Sequence, residues 1–368
     1  MRIGLKTIIF VGGGLLLLAP AIVAGTVFAN AMQKRAEVAN GARLRVLGEI
    51  AAEQLGRSMH QLWQSVEGMG RIVSLDDPQE ARRQLDLLAQ VDRRYTWIGV
   101  ADVEGKVITA SKGMLEGQSV AERPWFRRGL NGPAATDVHA AVLLEKLLPP
   151  TQEPRRFVDF SAPVKDEQGA VSGVIGAHFD WNFVQDSLQA MKGPGVEVML
   201  ISRERTVLSG PEGLRGITLS VGSAIAAGQA ASVSLRERWP DGKDYITVVI
   251  PSVKHADMPS FGWSVIVRAD TNSVLDPTRA ITRTFWIVLG AGMFAALALL
   301  FLLAMWAATP LRRLAGTAEQ LASGRYDTPP YDETRYEEAS RLSAALVRLQ
   351  SQSVRPYQPA GTSVKKAP

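Results

Sequence analysis

Two long uncharged runs constrain this chain more than any other feature. The first extends from Thr7 to Gln33 with an apolar core from Ile8 to Ala29, and the second from Thr284 to Leu311 with a core from Phe285 to Ala308. A helix of about 20 apolar residues crosses a bilayer, and aromatic residues gather where such a helix meets the interface. Trp286 and Trp306 sit near the two ends of the second core. A buried core helix is the alternative, but both runs exceed the length such a helix usually needs. Two membrane spans are therefore expected, within residues 1–31 and 284–308. Ala29-Asn30-Ala31 has the pattern of a signal-peptidase site. The apolar stretch before it is longer than a usual signal core, so the segment reads as an uncleaved anchor.

The charge distribution fixes the expected topology. The formal net charge is +5 and the isoelectric point about 9.5, which would suggest a nucleic-acid binder if the excess were spread over a surface. It is not. Residues 30–283 carry 30 basic and 30 acidic side chains, and the excess sits at the two ends. Arg2 and Lys6 precede the first run; Arg312 and Arg313 follow the second. By the positive-inside rule both termini are expected in the cytoplasm of a bacterial inner (plasma) membrane, with residues 32–283 outside it. Apolar residues make up 46% of the chain and charged residues 21%. That excludes a wholly disordered chain and a many-helix transporter. The absence of cysteine excludes disulfide scaffolds, thiol catalysis and cysteine-based zinc sites.

Between the spans the hydrophobic period changes. Leu44, Leu47, Ala51, Leu55, Met59, Leu62, Val66, Met69 and Val73 recur at steps of three and four, one stripe on a long helix. His60 falls off that stripe and is expected in solvent. A second helix is expected from Asp77 to Val91. After Tyr95 the pattern turns to strands and hairpin turns: Trp97–Asp102, Val107–Ala110, Phe157–Val164 and Val171–Phe179, then, past a loop at Lys192–Gly195, Val196–Ser202, Ala231–Leu235, Tyr245–Val253 and Trp263–Val267. This is an α+β pattern of two mixed modules after one long helix, the distal about 72–190 and the proximal about 195–275.

The runs W-I-G-V-A-D-V-E-G-K-V (Trp97–Val107), R-P-W-F (Arg123–Phe126), P-V-K-D-E-Q-G-A-V-S-G-V-I-G-A-H (Pro163–His178) and F-G-W-S-V-I-V (Phe261–Val267), in this order between two spans, resemble a double Cache sensor domain. The resemblance covers roughly residues 35–275. It implies two PAS-like modules with a small-molecule pocket in the distal one. Beyond the second span, Leu311, Leu314, Ala318 and Leu321 line one helix face, and Ala339, Leu342, Leu346 and Leu349 a second, with Gly324 and Pro329-Pro330 between them. This segment, 309–352, resembles a HAMP linker, with Ser340 where that family usually has Gly. Such short helices need partners, so a homodimer is expected. Residues 353–368 are expected to form a disordered tail. No histidine follows His255, and no cyclase signature or phosphate-binding motif is present. The chain is thus expected to be a non-enzymatic sensory receptor acting through a separate cytoplasmic effector. Its alternative is the sensor half of a transmembrane diguanylate cyclase.

The resemblance places ligand-binding roles on Arg123, Trp125 and Phe126. A guanidinium matches a carboxylate bidentately, and an indole supplies an apolar wall with one donor. Trp97 is a further candidate. The family's acid on the last distal strand is His178 here, a departure that favours organic acids over α-amino acids within the expected class of small carboxylate or amino-acid-like ligands. Asp180, two residues on, shares its strand face and can substitute. Asp137 and His139 lie in the loop A-T-D-V-H-A-A and complete the candidate set. Asp137, His139 and His178 could also hold a metal, but they show no ligand spacing. No metal and no cofactor is expected. Asp159 faces either the pocket or solvent.

Overall fold

A computed structural model describes residues 3–151, 154–189, 193, 195–325 and 331–353. Lys192, Pro194, the Pro329-Pro330 connector and the tail beyond Ser353 lie outside the described residues. Residues 33–278 form one compact unit and the two flanking segments a second.

Helix α1 runs unbroken from Leu5 to Ile72, so the first apolar run and the expected stripe share one helix. Leu44, Ala51, Leu55, Met59, Leu62 and Val66 on that stripe are buried. Helix α2 (Pro78–Val91) follows, with Asp77 at its N-cap accepting the Glu80 amide at 3.0 Å and Pro78 in the first turn.

The first sheet comprises β1 (Tyr95–Asp102), β2 (Val107–Ala110), β3 (Ala134–Ala140), β4 (Arg156–Lys165) and β5 (Val171–Asp180), in the order β2-β1-β5-β4-β3 and antiparallel throughout. Helix α3 (Pro124–Leu130) lies on one face of this sheet. Helix α4 (Trp181–Gln189) leaves its end. The second sheet comprises β6 (Val196–Ile201), β7 (Val207–Ser209), β8 (Ser234–Arg238), β9 (Asp244–Ile250) and β10 (Ser264–Asp270), ordered β7-β6-β10-β9-β8, with α5 (Gly222–Gly228) against β8, β9 and β10. The two sheets repeat one topology. The mixed α+β class is as expected, although β8 and β10 begin later than the hydrophobic runs suggested.

Strand alternation separates two cores within the first sheet. Ile98, Val100, Val158, Phe160, Ile175, Ala177 and Phe179 pack with the α1 stripe. Trp97, Ala101, Phe157 and Val174 point the opposite way and pack with Trp125 and Phe126 of α3. Each fully buried Val, Ile or Phe among them contributes on the order of 1.5–3 kcal/mol. One expectation fails on the stalk. His60 is only 7% exposed. It packs 5.2 Å from the His255 ring and 3.5 Å from an Asp257 carboxylate oxygen, because the 251–263 loop covers that side of α1.

Helix α6 (Thr271–Ala322) carries the second apolar run and α7 (Glu337–Ser353) follows. Helices α1 and α6 each contain an 18-residue window, of mean hydropathy 2.3 and 2.6, long and apolar enough to cross a membrane. In the unit formed by the flanking segments, Phe28 stacks on Phe285 with ring centres 4.4 Å apart. Leu314, Ala339 and Leu346 bury one another where α7 meets α6.

Candidate functional site

Helix α3 begins at Arg123, whose extended backbone (φ −77°, ψ 134°) serves as N-cap to Pro124. The next residue, Trp125, is buried against the sheet, and its carbonyl accepts the Ser161 hydroxyl at 2.8 Å. Two glycines permit this approach. A Cβ on Gly129 would lie 2.4 Å from a Val174 methyl, and one on Gly176 would lie 2.4 Å from the Trp125 ring. The G-V-I-G run thus reserves the volume that the indole fills.

Next to Trp125 three polar side chains converge on the same sheet face. Asp159, in the middle of β4, is 0% exposed. One of its oxygens lies 2.5 Å from His178 Nδ1 and the other 2.6 Å from His139 Nε2. His178 is its direct cross-strand neighbour on β5, and the imidazole is held between Trp97 (ring centres 5.0 Å, 28° apart in plane) and Phe157 (5.7 Å, 22°). His139 arrives by a less regular route. Thr136 pairs with Asp159, but His139 pairs with Phe157, so two residues of β3 face one of β4. This bulge reverses the side on which His139 emerges and brings it to Asp159. Its other nitrogen, Nδ1, is 3.2 Å from the Ala140 carbonyl.

The electrostatics are those of a self-compensated buried cluster. Burial penalises the charged form of Asp159, but the His178 charge and the two imidazole hydrogen bonds prevail and hold its carboxyl below the ordinary range. Burial opposes the charging of His139, and the Asp159 hydrogen bond and charge override it, raising its pKa. The Arg123 charge works against that rise.

A cavity of about 310 Å³ opens beside the cluster. Arg123, Thr136, His139 and His178 supply its polar lining, and Leu115, Val120, Trp125, Leu143, Leu144 and Phe157 most of its apolar wall. Among the described residues the Arg123 guanidinium has no hydrogen-bond or ion-pair partner, and the Thr136 hydroxyl is buried without one. A cavity with apolar walls and a few converging polar anchors is the ordinary form of a small-molecule site.

The sequence profile of the Cache domain matches residues 34–278. The chain belongs to the Cache domain family. The fold of its Cache domain is similar to the ligand-binding domain of the Pseudomonas fluorescens chemoreceptor CtaA, solved with L-leucine, at 17% identity and a TM-score of 0.51, over 67% of this chain and 99% of that one. The L-isoleucine complex of the same domain gives 16% and 0.50, over 67% and 97%. Methyl-accepting chemotaxis protein X gives 14% and 0.50, over 64% and 99%. No curated protein matches the sequence. The chain therefore carries a Cache sensor domain between two helices apolar enough to cross a membrane.

Within the Cache domain the expected site residues divide. Arg123, Trp125, His139 and His178 line the cavity. Trp97 and Phe126 stand behind it: Trp97 Nε1 donates to the Met114 carbonyl at 3.0 Å, and Phe126 packs edge-on against Trp125. Asp137 points elsewhere, since the bulge that turns His139 inward turns its carboxylate to Trp263 Nε1 at 2.6 Å. Burial raises the Asp137 pKa despite that bond. Asp180 sits at the strand end, where it accepts the Asn182 amide at 2.8 Å and lies 3.7 Å from Arg155. Thr136 is the polar cavity residue that sequence reasoning left out, and Asp159, which the sequence turned toward either the pocket or solvent, is buried against the two cavity histidines. The signal for Asp159 is an acid inside the run F-V-D-F-S, in a strand whose two faces are both buried.

Proposed function

We propose that this chain is a membrane-anchored receptor whose Cache cavity binds a small ligand with one carboxylate and an apolar body. The observation that carries this reading is the unpartnered Arg123 guanidinium in a cavity whose walls are mostly apolar. A guanidinium so placed satisfies its donors with a carboxylate, and the charge-assisted pair gains strength from desolvation. The similar CtaA domain was solved with L-leucine and L-isoleucine, which carry such a carboxylate on a branched apolar body. An α-ammonium group needs an acceptor as well. Here no carboxylate is among the described residues that line the cavity, and Asp159, against the two cavity histidines, has both oxygens engaged by imidazoles. The cavity therefore favours the carboxylate without the ammonium group, that is, an organic acid.

In this reading both termini are cytoplasmic and the Cache domain lies on the other side of the membrane. The end of α6 and α7 form a HAMP-like relay, and a separate effector reads it. On α7, Leu342 and Leu349 remain exposed while Ala339 and Leu346 are buried, which leaves an apolar row for a second copy. Ligand binding transmits a signal only through a difference in affinity between two states of these helices.

The test uses three compounds that share one branched apolar chain: 4-methylpentanoate, L-leucine and 3-methylbutylamine. The full chain in detergent is titrated with each by calorimetry. We expect binding of 4-methylpentanoate, weaker binding of L-leucine and none of the amine. Binding of the amine but not the acid would overturn the reading.

A further inference from the structure

We propose that His139, Asp159 and His178 are the protein ligands of a divalent transition-metal ion of the Zn²⁺, Co²⁺ or Ni²⁺ class, set in the cavity wall. One potential ligand atom from each of His139, Asp159 and His178 lies within 4.8 Å of the other two, and the contacts to Asp159 are made by His139 Nε2 and His178 Nδ1. Two imidazoles and one carboxylate suit this class of ion, and three protein ligands leave a position open for an exogenous group.

The hydrogen bonding of His139 supports the assignment. Both of its ring nitrogens face acceptors, Ala140 O at 3.2 Å and Asp159 Oδ2 at 2.6 Å. A neutral imidazole has one N–H and can satisfy only one of them. A second proton would let His139 donate to both acceptors, and a metal ion at Nε2, with the proton kept on Nδ1 for the Ala140 carbonyl, would satisfy the same two partners. A backbone carbonyl on the outer nitrogen is the usual support of a metal-binding histidine. His178 is fixed differently. Its plane is set by Trp97 and Phe157 on either side, so its orientation does not depend on a hydrogen bond at the second nitrogen.

The room needed is small. Metal bonds of about 2.0–2.2 Å require the nitrogen–oxygen pairs to open beyond their present 2.5 and 2.6 Å. His139 can move for this: it follows a bulge at the sheet edge, and 35% of its side chain is exposed. The charge is also consistent. Asp159 is the sole anion among the three ligands, so a bound divalent ion would leave the wall positive beside Arg123. The fourth position would then be taken by the ligand's carboxylate. That last step rests on the function proposed above; the metal site itself does not.

The experiment uses the full chain in detergent, without a histidine tag and stripped with chelator. It is titrated with CoCl₂, read by visible ligand-field absorption, and with ZnCl₂, read by calorimetry. The expected result is one ion per chain with nitrogen and oxygen ligands. His139→Ala should weaken binding beyond the ~10–100-fold that loss of a supporting residue costs, and His178→Gln should do the same. The chain has only two other histidines, His60 and His255, and the double variant His60→Ala/His255→Ala should bind as the parent does. Absence of Co²⁺ and Zn²⁺ binding overturns the proposal. So does binding that survives His139→Ala and is lost in the His60→Ala/His255→Ala variant. A separate titration of the metal-free chain with 4-methylpentanoate keeps the two ideas apart. Arg123-dependent binding there, together with failure of the metal titration, would remove the metal and retain the carboxylate site.

Discussion

The two sheets of the Cache domain share one strand order, and both central strands end in the same way, yet the residue before that ending differs. Asp180 closes β5 and Asp270 closes β10, each accepting the amide two residues on at 2.8 Å. Two residues before these acids stand His178 and Arg268. His178 lies between Trp97 and Asp159 on the neighbouring strands, and Arg268 between Glu197 and Thr247. Arg268 is 3% exposed, bonds Glu197 at 2.6 Å, and its guanidinium carbon lies 4.2 and 3.9 Å from the centres of the Trp239 and Tyr245 rings. A buried cation with aromatic walls is there, but its partners belong to the chain. In the first sheet the imidazoles engage Asp159, and the cation, Arg123, comes from a helix N-terminus and faces a cavity without a partner. A buried cation with anions from its own chain holds a fold together. One left without a partner beside a cavity is free to recognise something else.

If this contrast is right, the largest effect should come from the second sheet. Arg268→Met strips Glu197 of its partner and removes a cation enclosed by two rings. It should cost about 3 kcal/mol of stability, read as a lowered unfolding midpoint, with carboxylate affinity unchanged in the folded protein. Loss of affinity without loss of stability would erase the distinction between the sheets. Arg123→Ala should do the opposite. Carboxylate affinity should fall about 10–100-fold, the worth of a hydrogen-bonded charge pair, while stability moves by no more than about 0.5 kcal/mol, as for a side chain without partners. Gly176→Ala sharpens the picture of how the cavity is kept. Its methyl group would collide with Trp125, so it should cost about 1–2 kcal/mol and weaken binding while Arg123 is intact.

The smallest effect concerns pH. Burial works against ionisation of Asp241, but hydrogen bonds from the Tyr245 hydroxyl and the Lys243 amide and the nearby Arg268 charge together lower its pKa below 3.8. A lowered folded-state value stabilises the fold above the unfolded value and is lost as pH falls through the folded one. Asp241→Asn should therefore narrow the loss of stability below about pH 4, measured by unfolding midpoints across an acid series. An unchanged acid limb would show that this carboxylate does not support the Arg268 cluster.

Much of the architecture was legible because it rests on period and charge. The α1 stripe, the alternating strands and the uncharged runs each follow from where apolar side chains must go. The site was legible in part. Arg123 and Trp125 belong to a compact run at a helix start, and His178 follows a glycine run whose last member, Gly176, is needed for the tryptophan. Asp137 and Asp180 were plausible from spacing, but their carboxylates are engaged at Trp263 and at a helix N-terminus. His60 looked solvated because its helix face is polar in sequence. A loop distant along the chain covers that face.

The sequence by itself determined two apolar helices around an α+β sensor domain, and which helix brings an arginine to it. The apolar helices and the strand alternation are written in local patterns of hydrophobicity and charge, and the sensor domain and its arginine in the resemblance of short runs such as R-P-W-F to the Cache family. Only the tertiary structure decided that Asp159 lies between His139 and His178, because a single extra residue in β3 sets the side on which His139 emerges. Register is a property of two strands together, and no pattern within either strand alone encodes it.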